Sequence, residues 1–383
     1  MAGSLFWGCG GLAPPACVLL ANPPHWTYSA RCKRSRKRLQ STSDLPMTRG
    51  KPMAEARKST LWLVAERAGV SIASVSRVMN GQPASQRVTE RVQAAATELG
   101  YVPDATARSL KVGKTEQIAL AVADVGNPVY VGMMREISRV VTKAGYRLVL
   151  SDTGADPKDQ IDLLVGLNRG FADGLILSPL RAPEELGAAL KTSRFPIVII
   201  GSVPPGVELD NVRADSVAGM ALAVNHLAGQ GRERIAFVNG PVDTVPGAAR
   251  RNGYVTALTS LGRDPGTQVS ARDFTYQAGL KAATTLLDKE TPDAIVCAND
   301  LLAIAALNVA TRRGLRIPDD IAIVGMDDTD IADLANPAIT SVDLGATKRA
   351  RTAARLLLRR LEKPDAPLRQ VVIEPTLTVR GSS

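Results

Sequence analysis

The sequence predicts a small three-helix domain of the helix-turn-helix type, followed by a larger α/β core of two doubly wound parallel-sheet lobes. Three observations predict it. Residues 59–100 fall into three short amphipathic stretches punctuated by Ser or Thr at their starts and Gly after their ends. From about residue 116, short apolar runs alternate with longer amphipathic ones. The positive charge is confined to the N-terminal third, so the two parts have different surface chemistry.

The helices follow from caps and spacing. Thr60 offers a side-chain oxygen to the unpaired N–H groups of a helix at 61–68, and Gly69 supplies the turn. Ser71 opens a second helix over 72–79, which Asn80-Gly81 stops. Ser85 opens a third, with Val88, Val92, Ala95, Ala96 and Leu99 at roughly helical spacing, and Gly100 ends it. Ala65, Gly69, Val70 and Val75 let two short helices cross closely at a steep angle. Ser71, Ser74, Ser76 and Arg77 then lie on or beside the outer surface of the second helix. Hydroxyls and N–H groups at a helix start suit phosphate oxygens, and an arginine there suits a guanine edge. An ordinary three-helix subdomain has the same pattern, so pattern alone leaves both readings open.

The strands are predicted at 118–122, 147–150, 174–177, 197–200, 235–238, 294–297 and 321–324. Continuous apolar runs of this length, separated by helix-like stretches, signal βαβ units whose sheets are covered on both faces. Seven of them suggest two lobes. In such folds the binding crevice lies at the carboxyl ends of the strands.

At 383 residues the chain exceeds one typical domain. Residues 1–46 hold six Lys/Arg against one Asp, and residues 47–115 eleven against five, so the remainder is close to neutral within a net charge of +10. This suits an N-terminal part that meets phosphates, although a solubilising face has the same look. No apolar run approaches the roughly 20 residues of a membrane span, so no membrane partner is expected. Cys9, Cys17, Cys32 and Cys297 give neither a disulfide framework nor metal-ligand spacing. A reducing cytoplasm fits, and no metal or cofactor is expected. With only His25 and His226, no Gly-rich phosphate loop and no Ser or Cys nucleophile motif, an α/β enzyme is disfavoured.

Residues 1–46 differ from the rest. They are rich in Gly, Pro and Trp and end in the basic run Arg31-Cys-Lys-Arg-Ser-Arg-Lys-Arg38. The expectation is a disordered extension or a mis-assigned start, with translation beginning at Met47 or Met53. A nucleic-acid-binding tail is the other reading. A secretory signal is not expected, because no charged region precedes the short apolar stretch at 16–21.

Two segments carry a resemblance. Val64-Ala-Glu-Arg-Ala-Gly-Val-Ser-Ile-Ala-Ser-Val-Ser-Arg-Val-Met-Asn-Gly81 closely resembles the DNA-binding signature of the lac/gal repressor family. Glu98-Leu-Gly-Tyr-Val-Pro-Asp-Ala-Thr-Ala-Arg-Ser-Leu110 is similar to that family's third-helix end and hinge helix. The resemblance runs from about Lys58 to about Arg380. It implies operator DNA as a partner, with Ile72, Ala73 and Arg77 facing bases and Thr60, Trp62, Ser71, Ser74 and Asn80 on the backbone. Ile72 and Ala73 would meet thymine methyls. Ala107 and Leu110 would enter the minor groove, with Leu110 wedged into a base step. The chain departs from the family's pattern at Leu63, where Asp is usual and a capping box is lost, at Val88, where Thr is usual, and in a loop at Pro83-Ala84 that is one residue short. It also departs at Asp104, where Asn is usual and a carboxylate faces phosphates unless it only caps the hinge.

The body resembles the same family's effector core, itself similar to periplasmic sugar-binding proteins. Asp124-Val-Gly-Asn-Pro128, Phe171-Ala-Asp-Gly-Leu-Ile-Leu-Ser178, Gly240-Pro-Val-Asp243, Ala298-Asn-Asp300 and Val324-Gly-Met-Asp-Asp328 carry it. The resemblance places Asp124, Tyr130, Arg250, Phe274, Asn299 and Asp327 in the effector pocket. Such a set gives directional donors and acceptors for vicinal hydroxyls and an aromatic face for a ring, which suits a sugar or sugar-like polyol. Structural roles compete at several positions: Asn299 and Asp300 as caps of a helix beginning at 301, Phe274 as core, Asp327 and Asp328 as turn caps. Asn127-Pro128 reads as a helix start.

The expected domains are helix-turn-helix over 59–103, hinge helix and linker over 104–115, and effector core over 116–383. Lobe one takes 116–213 and 344–373, and lobe two 214–343 and the C-terminus. The expected assembly is a homodimer, because the sequence shows no heptad tail near Arg380. Ligand closure of the cleft would then alter hinge pairing over DNA. The alternative from another class is a solute-binding protein of an importer, which a helix-turn-helix directly before the core argues against.

Overall fold

A computed structural model describes residues 60–102, 113–154 and 156–383. The hinge positions Asp104, Ala107 and Leu110, and the whole of 1–46, lie outside the described residues.

The N-terminal part holds α1 (Leu61–Ala68), α2 (Ile72–Met79) and α3 (Gln86–Glu98). Thr60 caps α1 by accepting from the Leu63 N–H, and Ser71 caps α2 by accepting from the Ser74 N–H. Ser85 stands at the N-cap of α3 without a side-chain bond to the helix. Gly69 sits at φ +58 after α1, a left-handed turn that favours glycine and swings the chain into α2. Val64, Ala65, Ala68, Val75, Val92, Ala95 and Ala96 form a core of mostly small residues, which lets three short helices approach closely. The Arg67 guanidinium donates twice to the Glu98 carboxylate and ties α1 to the end of α3.

The core has two six-stranded sheets. The first contains β1 (Gln117–Val122), β2 (Arg147–Asp152), β3 (Gly174–Leu177), β4 (Ile197–Ile200), β5 (Asp210–Ala214) and β11 (Gln370–Ile373), in the order β11-β5-β4-β3-β1-β2. The second contains β6 (Ile235–Asn239), β7 (Gln268–Ser270), β8 (Ala294–Cys297), β9 (Ala322–Met326), β10 (Thr340–Asp343) and β12 (Thr376–Thr378), in the order β12-β10-β9-β8-β6-β7. Every pairing is parallel except β10 with β12.

All seven predicted strands are present, and five strands were not foreseen: β5, β7, β10, β11 and β12. Strand alternation explains why the first sheet needs helices on both sides. Ile118, Leu120 and Val122 point to one face, where they pack with Met133, Ile137 and Val141 of α4 (Pro128–Lys143) and Ala353, Ala354 and Leu357 of α12 (Ala346–Glu362). Ala119 and Ala121 point to the other, with Leu164 of α5 (Pro157–Leu167) and Leu186 and Leu190 of α6 (Glu184–Lys191). The second sheet is enclosed by α7 (Ser216–Gly229), α8 (Val245–Ser260), α9 (Tyr276–Lys289) and α10 (Asp300–Arg312), around Phe237, Tyr254 and Val296. A short α11 (Asp330–Leu334) follows β9.

The chain passes between the sheets three times: after β5, between β10 and α12, and between β11 and β12. Helix α12 follows a strand of the second sheet yet covers β3, β4 and β5 of the first. Carboxyl ends of strands from both sheets therefore converge on a shared crevice.

Candidate functional site

Two sites can be built from the residues upward. The first is the outer surface of α2. Ser71, Ile72, Ala73, Arg77 and Asn80 are exposed, as are Thr60 and Trp62 beside them, while Ser74 is half-buried. Trp62 is 57% and Ile72 48% exposed, two large apolar side chains open to a partner on this surface. The Ser71 and Ser74 hydroxyls lie 2.9 Å apart at the positive end of the helix. Asn80 turns its amide back onto the Ser76 carbonyl and hydroxyl. Arg77 is in no ion pair among the described residues.

The second site is the crevice between the lobes, a cavity of about 410 Å³. Asp124, Tyr130, Arg250, Phe274 and Asp327 all line it, although they are spread over some two hundred residues of chain. Arg250 enters from α8 and donates to Asp327 Oδ1 at 3.3 Å, with both side chains almost fully buried. Asp327 directly follows β9 at φ +100 and Asp328 comes next at φ +48, both at positive φ that non-glycine residues rarely adopt. The turn is held by the Asp327 N–H donating to the Val342 carbonyl and the Asp328 N–H donating to the Ser341 hydroxyl.

Phe274 stands beside Arg250, whose guanidinium carbon lies 5.8 Å from the ring centroid. A glycine at 240 makes this possible, since a Cβ there would overlap the Phe274 ring. Tyr130 rises from α4, half-buried, and burial lifts its phenol above the ordinary value against the opposing effect of a hydrogen bond with Ser178. Burial likewise raises the Asp327 carboxyl, and the charges of Arg250 and Arg349 draw it back. Asp124 uses Oδ1 to accept from the Gly126 N–H. At the mouth, Arg181 of the first lobe meets Asp243 of the second at 2.8 Å, and the Val245 N–H donates to the Leu180 carbonyl.

Asn299 is not brought to the cavity. It is 1% exposed, its oxygen caps α10 by accepting from the Leu302 N–H, and its amide donates to the Phe274 carbonyl. It steadies the loop that carries Phe274. Asp300 is also buried, accepting from Thr329 and from the Ser341 hydroxyl, and Asn127 caps α4. Sequence reasoning missed Arg349, which lines the cavity from the first turn of α12. Nothing local marks it, because a basic residue early in an amphipathic helix looks like an ordinary solvated one.

A two-lobed ligand-binding core behind a helix-turn-helix defines a ligand-responsive DNA-binding regulator of transcription. Residues 60–104 match the family described as bacterial regulatory proteins, lacI family, and residues 224–383 match the periplasmic binding protein-like domain. The chain belongs to the lacI family of bacterial regulatory proteins. It is 36% identical over 341 residues to the HTH-type transcriptional regulator CelR of Thermobifida fusca, covering 86% of this chain and 100% of that one. To the transcriptional repressor CytR of Escherichia coli K12 it is 32% identical, covering 85% and 96%. A solved CelR–cellobiose complex superposes with a TM-score of 0.65 at 34% identity, over 85% of this chain and 100% of that one. The lac repressor dimer bound to operator superposes with a TM-score of 0.77 at 25% identity, over 85% and 99%. These likenesses do not favour a solute-binding protein of an importer. Among the described residues, no helix is long and apolar enough to cross a membrane.

Proposed function

We propose that the chain is a non-enzymatic, cytoplasmic repressor that binds pseudo-palindromic operator DNA as a homodimer, with its affinity set by a small sugar-like effector held between the lobes. The observation that carries this reading is the cluster of Arg250, Asp327 and Phe274 in a crevice between lobes joined by three chain connections. Buried, directional polar groups beside an aromatic face suit a hydroxylated ring. Relatives point the same way, since CelR is solved with cellobiose and the lac repressor as an operator-bound dimer. The exposed apolar Val149 and Leu150 on edge strand β2 give a second copy somewhere to dock.

In this reading α2 enters the major groove. Ile72, Ala73 and Arg77 face bases, and Thr60, Trp62, Ser71, Ser74 and Asn80 hold phosphates, with Ala107 and Leu110 in the minor groove. Asp124, Tyr130, Arg250, Phe274 and Asp327 hold the effector, and Asn299 acts through Phe274. The DNA-binding part is 59–103, the hinge 104–115 and the effector core 116–383. The test is fluorescence anisotropy with the intergenic DNA beside its own gene, at low salt, with and without candidate sugars. Binding altered by a sugar is the expected result. Absence of DNA binding under all conditions refutes the proposal.

A further inference from the structure

We infer that the effector carries an oxyanion, a carboxylate or phosphate on a polyhydroxylated skeleton, seated between Arg250 and Arg349. This rests on the reading of the crevice as the effector site, and narrows it from sugars in general to acidic ones.

The two arginines come from different lobes. Arg250 belongs to α8 over the second sheet, and Arg349 to α12, which packs on the first. Both line the cavity. Arg250 is 7% exposed, and the Nε atoms of both residues are shut off from solvent without a hydrogen-bond partner. The Arg349 side chain forms no hydrogen bond or ion pair among the described residues.

The two buried guanidiniums have incomplete hydrogen bonding, and among the described residues Arg349 has no carboxylate bonded to it. Asp327 is paired with Arg250 through a single contact. Asp343, the other carboxylate facing Arg349, turns an oxygen to the Gly345 N–H. The remaining acids of the wall keep their charge but accept from N–H groups of their own loops, Asp124 from Gly126, Asp215 from Ala218 and Asp273 from Thr275, and none is bonded to Arg349. At the rim, Arg181 and Arg272 already have carboxylates in Asp243 and Asp273. Burial pushes the Arg349 guanidinium below its ordinary value, with Asp327 opposing this and Arg250 adding to it. A guanidinium with a vacant buried donor calls for an acceptor with paired oxygens, and carboxylate and phosphate fit its fork geometry. A neutral sugar offers these donors single hydroxyl oxygens, whereas an oxyanion offers paired oxygens to guanidiniums of both lobes at once. Bridging them draws the lobes together, which couples binding to closure.

The test is thermal shift and calorimetry on the full chain. Sodium sulfate is the general oxyanion probe against chloride at equal ionic strength, with D-gluconate, D-glucose 6-phosphate and neutral D-glucose and cellobiose as separate arms. Sulfate is expected to raise the melting temperature saturably, and the acid of the right class to displace it and bind more tightly than either neutral sugar. The gluconate and glucose 6-phosphate arms distinguish carboxylate from phosphate. Arg349→Met is expected to weaken oxyanion binding roughly ten- to a hundredfold. Arg349→Lys keeps the charge without the fork and is expected to fall between, and it serves alone if the methionine variant does not fold. No saturable sulfate effect, equal sulfate binding by the variants, or tighter binding of a neutral sugar overturns the inference. Operator binding by the unmodified chain, measured alongside, separates these outcomes from failure of the repressor reading itself.

Discussion

Arg250 and Asp327 form a buried ion pair at 3.3 Å, from the second turn of one helix to the strained end of a strand. Removing one partner strands the other's charge in the crevice. Arg250→Ala is therefore expected to destabilise the chain by about 3–5 kcal/mol, as loss of one member of a buried pair does. Arg250→Met combined with Asp327→Asn is expected to recover most of that loss while abolishing the effector response. Urea unfolding of Arg250→Met, Asp327→Asn and the double variant checks this, and additive losses would show that the pair is not coupled.

Gly240→Ala tests the approach of Phe274 to the crevice. The added methyl occupies the ring's position, so Phe274 must swing away from Arg250. Stability is expected to fall by about 1–3 kcal/mol. Effector affinity is expected to fall as well, while the unliganded protein still binds DNA. Calorimetry and anisotropy on the same preparation read both.

Arg77→Ala is expected to reduce operator affinity by about 1–3 kcal/mol and to relax preference at one base pair in each half-site. Competition with single-base operator variants measures it. A uniform loss on every sequence would assign Arg77 to a phosphate instead.

Asp300 gives a pH signature. Burial raises its carboxyl to about 7, with the charge of Asp327 adding to the effect. A raised folded-state value means the folded chain holds this proton more tightly than the unfolded one. The stabilisation is complete below about pH 4, declines as pH rises and is gone above about 7. Asp300→Asn is expected to flatten this part of the stability profile, by at most about 1.4 kcal/mol per pH unit. Chemical denaturation between pH 4 and 8 tests it, and an unchanged slope refutes it.

The strands legible in the sequence were those with unbroken apolar runs, such as 174–177 and 197–200. Strand β10 was not, because Thr340 and Ser341 are fully buried but polar. Their hydroxyls are satisfied by Arg380, Ser383 and Asp300, partners that no local pattern announces. Strand β5 was hidden in the same way, since Asp210 is buried against Arg360, a residue far along the chain. In the crevice, the family signature pointed to five of the lining residues. It misjudged the reach of Asn299, whose polar atoms are consumed by the α10 cap and the Phe274 carbonyl. Arg349 escaped because its meaning depends on Arg250 opposite it, and spacing carries no such information.

The interleaved path of the chain has a consequence for its synthesis. On a ribosome the first lobe's strands β1 to β5 are complete at Ala214, yet the face formed by Ile118, Leu120, Val122, Ile176 and Val198 is covered only in part, by α4, until α12 supplies Ala350, Ala353 and Leu357. At about 5–20 residues per second the wait is on the order of ten seconds. During it an apolar surface and an open edge at β5 are available to other nascent chains. Ribosome-bound chains halted after β10 should therefore be protease-sensitive in the first lobe, and release past Ile373 should protect it.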